Sequence, residues 1–227
     1  MRTDMQQNNA SAPIKGIFFK DFDNSYIPHI LKEIYLDKIY VPYLSGRKDL
    51  IIADWGGNIG LTSNYFKDFA KQVYCVEPSK QHIECIDKMI LQNQIKNIKV
   101  CPYAISNENG KTKFFHNDNV TMFSLKDTVN NKKDFEEVET VTVDSFLERE
   151  KIDHIDLLKW DTEGFESEIL VSEGFKKSAS RIHTIVGEWH QWTSMNQYQF
   201  KEAFEVLGFQ FNWLMRTEAS VYSAVRV

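Results

Sequence analysis

With 227 residues, the chain is long enough for one α/β domain with its own core, because a domain of this size buries about 70% of its unfolded surface. Its hydrophobic share of 42%, including 16 Phe, excludes an intrinsically disordered protein. The net charge of −5, from 27 basic and 32 acidic residues, gives no general positive field for a phosphate backbone, so we expect no nucleic-acid partner.

The cysteines and the apolar runs indicate the compartment. Cys75, Cys85 and Cys101 lie in apolar stretches, which is typical of reduced thiols rather than of a disulfide framework, and they share no metal-ligand spacing. No run approaches the roughly 20 apolar residues of a membrane span, and the polar N-terminal segment lacks the apolar core of a signal peptide. We therefore expect a soluble, cytoplasmic protein without a membrane partner; the sequence does not indicate its oligomeric state.

Composition and periodicity divide the chain into three parts. Residues 1–12 are polar and aperiodic, which predicts a flexible tail. Residues 13–49 are predicted to form a helical cap, with a helix that starts after the candidate capping residue Asp23 and ends near Tyr40. Residues 50–227 are predicted to form the main α/β domain.

In the main domain, short β-rich runs alternate with helical segments, a pattern typical of βαβ units and a parallel sheet. Helices are expected over residues 61–69, 81–92 and 196–207, where apolar residues recur at helical spacing. Five parallel strands are predicted, over residues 50–53, 72–76, 98–101, 155–159 and 182–187.

Two further segments have distinct patterns. The sequence after Gly208 contains two β-rich runs around a polar break, which predicts a terminal antiparallel hairpin at the sheet edge. Residues 117–136 are polar and weakly periodic, so we expect a long loop or a lid there.

A glycine-rich turn, with Asp54, Gly56, Asn58 and Gly60, joins the first predicted strand to the next helix. Such a turn lets the backbone approach a ligand closely at the carboxyl edge of a sheet. Its glycines do not fit the G-x-G-x-x-G spacing that binds the pyrophosphate of a dinucleotide. The Asp54 carboxylate would repel a diphosphate but is compatible with the ammonium and sulfonium of S-adenosylmethionine, so the turn favours a cationic cofactor.

Two more segments extend this candidate cofactor site. Glu77 closes the second predicted strand, and Pro78 ends the strand, so the Glu77 carboxylate can accept hydrogen bonds from both hydroxyls of a ribose. An exposed strand-end carboxylate is the alternative for Glu77. The small residue Ala104 follows the third strand and could flank an adenine ring, although the sequence pattern alone favours ordinary core packing for this segment.

Acidic residues follow the fourth predicted strand. Asp161 and Glu163 can point to the same side of an extended turn, where they could accept a proton, orient a hydroxyl or hold a cation. The alternative is a helix start at which Asp161 or Thr162 caps the helix. Lys159 precedes them within the strand and is either buried with a partner or an edge lysine that reaches solvent.

The fifth strand ends with Glu188 and His190 among tryptophans. A histidine beside an acid at the carboxyl end of a strand is a candidate general base, although an isolated histidine is more often structural. The flanking indoles suit stacking against a sugar or another ring.

Together these motifs resemble the FkbM-type methyltransferases. The resemblance covers about residues 50–190 and rests on the turn from Asp54 to Gly60, on Val76-Glu77-Pro78, on Thr142-Val143-Asp144 and on Lys159-x-Asp161-x-Glu163-Gly164-x-Glu166.

The resemblance implies a class I, S-adenosylmethionine-dependent methyltransferase. The expected fold is a Rossmann-like three-layer α/β sandwich with a mostly parallel seven-stranded sheet and a C-terminal antiparallel hairpin. The expected acceptor is a hydroxyl of a sugar, a polyketide-like compound or another small metabolite. Asp54, Gly56, Asn58 and Gly60 would bind the methionine end of the cofactor, Glu77 with Pro78 the ribose, and Asp161 would lie near the sulfonium.

Methyl transfer then requires mainly alignment, with Asp161, Glu163 or His190 accepting the proton of the acceptor. No metal site is part of this prediction. A divalent cation held by Asp161, Glu163 and Glu188 is one alternative. Another is a catalytically silent domain that binds S-adenosylmethionine as a sensor, since a fold does not prove a function. The glycine spacing disfavours a nicotinamide-dependent oxidoreductase.

Overall fold

The computed structural model describes residues 30–116, 124–125, 134–214 and 219–227. Within these residues the chain forms ten strands, which we number in chain order: β1 Leu50–Trp55, β2 Ala70–Val76, β3 Ile98–Cys101, β4 Ala104–Ile105, β5 Gly110–Phe115, β6 Phe135–Val141, β7 Ile155–Trp160, β8 Ile182–His190, β9 Phe209–Trp213 and β10 Ala219–Arg226.

Seven strands form one sheet in the order β3-β2-β1-β7-β8-β10-β9. The five strands from β3 to β8 are parallel, and β10 pairs antiparallel with both β8 and β9. The prediction of a mostly parallel seven-stranded sheet with a C-terminal antiparallel hairpin is therefore confirmed. The strand order reverses between β1 and β7, and ligands of open α/β sheets bind at the carboxyl ends of strands at such a point.

A second, three-stranded sheet has the order β4-β6-β5 and was not predicted. Its strands are short or rich in charged residues, so they lack the apolar runs that reveal the main strands.

The expected loop over residues 117–136 needs a correction at its end, because Phe135 and Glu136 belong to β6. Ser124 forms a bridge to Phe115 of β5, and most of the remaining segment lies outside the described residues.

The predicted helices occur with small changes in their bounds. Ser79 caps the helix Lys80–Gln92 through a 3.4 Å bond from the His82 amide, and the helix after the glycine turn ends at Phe66 rather than at residue 69. The described helical segments are the π-helical Lys32–Asp37, Val41–Leu44, Leu61–Phe66, Lys80–Gln92, Val143–Arg149, Glu166–Leu170, Glu173–Ser178, the 3₁₀ segment Ala179–Arg181 and Gln197–Val206.

The helical cap differs from its prediction at its end. Its first helix ends at Asp37 because Lys38 adopts a left-handed conformation with φ of 56°, and a second short turn, Val41–Leu44, follows. The predicted start at Asp23 and the predicted tail over residues 1–12 lie outside the described residues.

Apolar clusters cover both faces of the main sheet. Ala53 and Trp55 of β1 pack in one cluster, whereas Leu50 and Ile52 of the same strand pack in the other, because side chains along a strand alternate between its two faces. The second cluster includes Ile34, Tyr40 and Leu44, so the described part of the cap packs against that face. Two helical layers around one sheet give the expected three-layer sandwich.

None of the helices in the described part of the chain is long and apolar enough to cross a membrane.

The helix Gln197–Val206 depends on a capping box at Asn196. The Asn196 side chain accepts bonds from the amides of Tyr198 and Gln199, and the Gln199 side chain accepts from the Asn196 amide. We expect Asn196→Ala to lower the free energy of unfolding by about 1 kcal/mol, because two helix-end amides lose their acceptor. Denaturation in urea measures this change. Asn196→Ser, which keeps a capping oxygen, should lose much less, and equal losses would contradict this role.

Candidate functional site

The glycine turn after β1 lies against the end of β7. Gly56 has a φ of +77°, and a Cβ atom added to it would lie 1.8 Å from the carbonyl oxygen of Asp161. The amides of Gly56 and Gly57 both donate to the carbonyl of Val76, at 3.1 and 3.0 Å. Glycine is therefore required at residue 56 both by its backbone conformation and by the close approach of β7.

A cavity opens beside this turn, at the carboxyl edge of the sheet. Its lining contains the predicted site residues Gly56, Asn58, Glu77, Pro78, Ala104, Asp161 and Glu163. The lining residues that were not predicted as site residues are Trp55, Val76, His82, Tyr103, Ile105, Phe114, Leu125 and Thr162. The second sheet thus supplies one wall of the cavity through β4 and β5. The predicted site residues Asp54, Gly60 and His190 are not part of this lining.

Glu77 is buried at the cavity wall and held from three directions. Its carboxylate accepts bonds from the amides of Asn58 at 2.8 Å and Ser79 at 2.9 Å, and its Oε1 lies 3.2 Å from His82 Nδ1. An exposed strand-end carboxylate, the alternative from the sequence, is therefore wrong, since only 3% of Glu77 is exposed. The sequence signal for His82 was its position early in the helix that Ser79 caps, which turns the ring back towards Glu77.

Asp54 lies beneath the turn in a buried group of charges. Its Oδ2 accepts a bond from the Ser63 hydroxyl at 2.6 Å, and its Oδ1 lies 3.5 Å from Lys159 Nζ. Burial raises the pKa of Asp54, and the Lys159 ammonium opposes that shift. Lys159 is only 8% exposed, so it is a buried lysine with partners rather than an edge lysine that reaches solvent.

His190 lies at the centre of several carboxylates. Its Nδ1 is 3.3 Å from Glu166 Oε1, and its Nε2 is 3.5 Å from Glu163, 3.8 Å from Glu188 and 3.9 Å from Asp161. The structure thus brings together the three predicted catalytic residues, Asp161, Glu163 and His190.

The protonation of this group follows from its contacts. Burial is the largest single effect and works against the charged imidazolium, but Glu166, Glu163 and Asp161 together outweigh it and raise the pKa of His190 to about 10. Burial and the Asp161 carboxylate raise the pKa of Glu163 well above its usual value, and they raise the pKa of Glu188 to about 8. His190 is therefore a cation at neutral pH, whereas Glu163 and Glu188 bind protons more tightly than ordinary carboxylates.

The turn after β7 is shaped by the Glu166 side chain. Glu166 is fully buried, and its Oε1 accepts bonds from the amides of Thr162 at 2.8 Å and Gly164 at 3.2 Å. The helix that follows begins at Glu166 with Phe165 as its N-cap residue, so the alternative of a helix capped by Asp161 or Thr162 is wrong.

Trp192 and Ser124 cover the same turn from outside. The Trp192 ring lies 4.8 Å from the His190 ring, and its Nε1 donates to the Glu163 carbonyl at 3.3 Å. Ser124 Oγ donates to the same carbonyl at 2.7 Å. Part of the segment predicted as a lid therefore contacts a predicted catalytic residue.

One set of side chains in this group also has the geometry of a metal site. Asp161, Glu166 and His190 offer ligand atoms that lie within 4.8 Å of one another, which is the one such set found among the described residues. The alternative cation site from the sequence was Asp161, Glu163 and Glu188, so the two sets share only Asp161.

Comparisons with known proteins agree with this architecture. The methyltransferase FkbM domain matches residues 54–212. No curated protein matches the chain in sequence.

Similar solved structures include an S-adenosylmethionine-dependent methyltransferase from Agrobacterium tumefaciens, at 10% identity and a TM-score of 0.51, over 86% of this chain and 61% of that one. A putative methyltransferase from Streptococcus mutans in complex with S-adenosylhomocysteine has 11% identity and a TM-score of 0.49, over 84% and 97% of the two chains. A precorrin-6y C5,15-methyltransferase from Geobacter metallireducens has 12% identity and a TM-score of 0.49, over 83% and 87%. At these identities the similarity concerns the fold.

The close approach at Gly56 gives a direct test of the turn. We expect Gly56→Ala to weaken S-adenosylmethionine binding by more than about tenfold, or about 1.4 kcal/mol, because the new Cβ displaces the turn from Asp161. Isothermal titration calorimetry measures this loss. Gly46→Ala is the matched control, since Gly46 has a φ of +74° but no heavy atom within 4 Å of an added Cβ. Equal affinities for the two variants would contradict this constraint.

The charge on His190 gives a pH test. Its pKa of about 10 exceeds the value of about 6.5 expected in the unfolded chain, so the charged ring stabilises the fold below pH 6.5, and this contribution is lost as the pH rises towards 10. Imidazole chemical shifts measured by NMR against pH, assigned with His190→Gln, should show a midpoint far above 6.5. A midpoint near 6.5 would contradict the ion pairing described here.

Proposed function

Because this chain belongs to the FkbM methyltransferase family, with S-adenosylmethionine as its cofactor, we propose that it methylates a hydroxyl of a sugar or another small metabolite. The observation that supports a hydroxyl acceptor is the position of Glu163, a cavity-lining carboxylate of raised pKa beside the His190 imidazolium. A hydroxyl acceptor loses a proton during transfer, and a carboxylate of raised pKa is suited to accept it.

The lining of the cavity fits the cofactor. The buried Glu77 carboxylate can accept bonds from ribose hydroxyls, with Pro78 beside it, and Ala104 can flank the adenine. We assign the methionine end to the turn from Asp54 to Gly60, where Gly56 and Asn58 line the cavity. When bound, S-adenosylmethionine supplies an electrophilic methyl group on a positively charged sulfur.

Charge in the site favours a cationic cofactor. Lys159 and His190 lie among acidic side chains that are buried or half-buried, those of Asp54, Asp161, Glu163, Glu166 and Glu188. Asp161 lines the cavity and lies nearest to the turn, so we assign it as the neighbour of the sulfonium. The Asp161 carboxylate would attract the positively charged sulfur of the cofactor more strongly inside the protein than it would in water.

Glu163 and His190 have different roles in this proposal. His190 is already protonated at neutral pH, so it does not serve as the base; it holds the surrounding carboxylates in place by charge. Glu163 lines the cavity and lies 3.5 Å from His190 Nε2, and it accepts the proton of the acceptor hydroxyl. The enzyme otherwise aligns the acceptor oxygen with the methyl group and excludes water.

A second candidate is an O-methyltransferase that needs a divalent cation. The proximity of Asp161, Glu166 and His190 favours it, because carboxylate and imidazole groups are metal ligands and a bound cation would lower the pKa of the acceptor hydroxyl. A third candidate is a domain that binds the cofactor without turnover.

The net charge of −5 supports a small acceptor over nucleic acid. The cytoplasmic localisation and the division into a tail, a cap over residues 13–49 and a methyltransferase domain over residues 50–227 stay predictions.

Transfer of labelled methyl groups to a panel of sugars and small hydroxyl compounds tests the proposal. Glu163→Gln keeps the size of the side chain and removes the proton acceptor, so we expect kcat to fall by about 100-fold or more while the affinity for S-adenosylmethionine stays within a few-fold of wild type. Loss of wild-type activity with a chelator would favour the divalent-cation enzyme. Tight cofactor binding without turnover on any acceptor would favour the silent domain, and unchanged kcat in the variant would refute the role of Glu163.

A further inference from the structure

A lysine ammonium lies buried directly behind the cavity. Lys159, in β7, is 8% exposed, and its Nζ donates a 2.7 Å hydrogen bond to the carbonyl oxygen of Gly56. The same Nζ lies 3.4 Å from Asp161 Oδ2 and 3.5 Å from Asp54 Oδ1. The three N–H groups of one ammonium therefore have three oxygen partners.

These partners come from two neighbouring strands and the residues that follow them. Gly56 belongs to the turn after β1, and Asp161 is the first residue after β7. At the end of the ladder between β1 and β7, the Asp161 amide donates to the Trp55 carbonyl at 3.1 Å. Lys159 adds a side-chain link, because its ammonium contacts the Gly56 carbonyl and the Asp161 carboxylate together.

The burial of the Lys159 ammonium has an energetic cost. Removing such an ion from water costs several kcal/mol, and only well-placed partners offset that cost. An apolar side chain of similar size would fill the space between β1 and β7 without this cost. A lysine here is thus better suited to fixing oxygen atoms than to filling the core.

We propose that Lys159 is a positioning residue for the methionine end of the cofactor. It holds the Gly56 carbonyl and the Asp161 carboxylate at a fixed separation, so that the turn and the acid face the cofactor together. The proposal rests on the assignment of the methionine end to residues 54–60 and Asp161.

A positioning role and a purely structural role of Lys159 differ in which ligands would lose affinity when Lys159 is replaced. Only the methionine end of the cofactor would touch the groups that Lys159 holds, whereas the adenosine end would contact Glu77 at the end of β2. A ligand without the methionine end should therefore be insensitive to Lys159. General loosening of the fold would instead weaken every ligand.

Isothermal titration calorimetry of Lys159→Met with three ligands makes this test. We expect the affinities for S-adenosylmethionine and S-adenosylhomocysteine to fall by about tenfold or more, and the affinity for 5′-methylthioadenosine, which lacks the amino-acid part, to change less than about twofold. Glu77→Gln is the matched control, because all three ligands contain the ribose and should all weaken. Equal losses for the three ligands in Lys159→Met, or no loss, would overturn the proposal.

Lys159→Met removes the cation that faces Asp54 and Asp161, and this loss could prevent folding. A second pair of variants tests the proposal in that case. Asp54→Asn removes one of the two carboxylates and leaves the bond from Lys159 to Gly56 in place, so Asp54→Asn/Lys159→Met compared with Asp54→Asn isolates the lysine. The same selective loss is expected. Failure of both Lys159 variants to fold would identify a structural role and overturn the proposal. Absence of S-adenosylmethionine binding by wild type would instead overturn the proposed function.

Discussion

The carbonyl oxygen of Asp161 occupies the space that a side chain at residue 56 would need, and the rest of the site depends on this contact. It brings the turn after β1 within reach of the Lys159 ammonium and places Asp161 in the lining of the cavity. The parallel pairing of β1 with β7 supplies this proximity, because the two strands end at the same edge of the sheet.

Charge is the second constraint on the site. His190 and Lys159 are buried cations, and each is surrounded by acidic side chains from neighbouring strands and from the segments that follow them. Neither cation could remain charged at this depth if those strands ended elsewhere, since an unpaired buried charge is strongly destabilising. The fold and the protonation of the site are therefore linked: the order of the strands determines which groups can carry charge.

Much of this arrangement was predictable from the sequence. The main strands have apolar runs buried on both faces, and the residues that follow them, such as Asp54, Glu77, Asp161 and His190, had to meet at the carboxyl edge. The charged state of His190 was not predictable, because Glu166 reaches its ring from the next helix and not from a neighbouring position in sequence. The second sheet was missed because β5 and β6 alternate charged residues with few apolar ones, and its wall residues Ile105 and Phe114 therefore could not be assigned to the cavity.

The position of β10 in the sheet has a consequence for how the chain folds. β10 follows all the other strands in sequence, yet it lies between β8 and β9 and pairs with both. As the chain is synthesised, β8 and β9 therefore have no permanent neighbour on that side until β10 has emerged, and their edges stay open to incorrect pairing. The end of β8 carries Glu188 and His190, so the edge of a strand that bears part of the charge cluster stays open until this late strand inserts and closes the gap in the sheet.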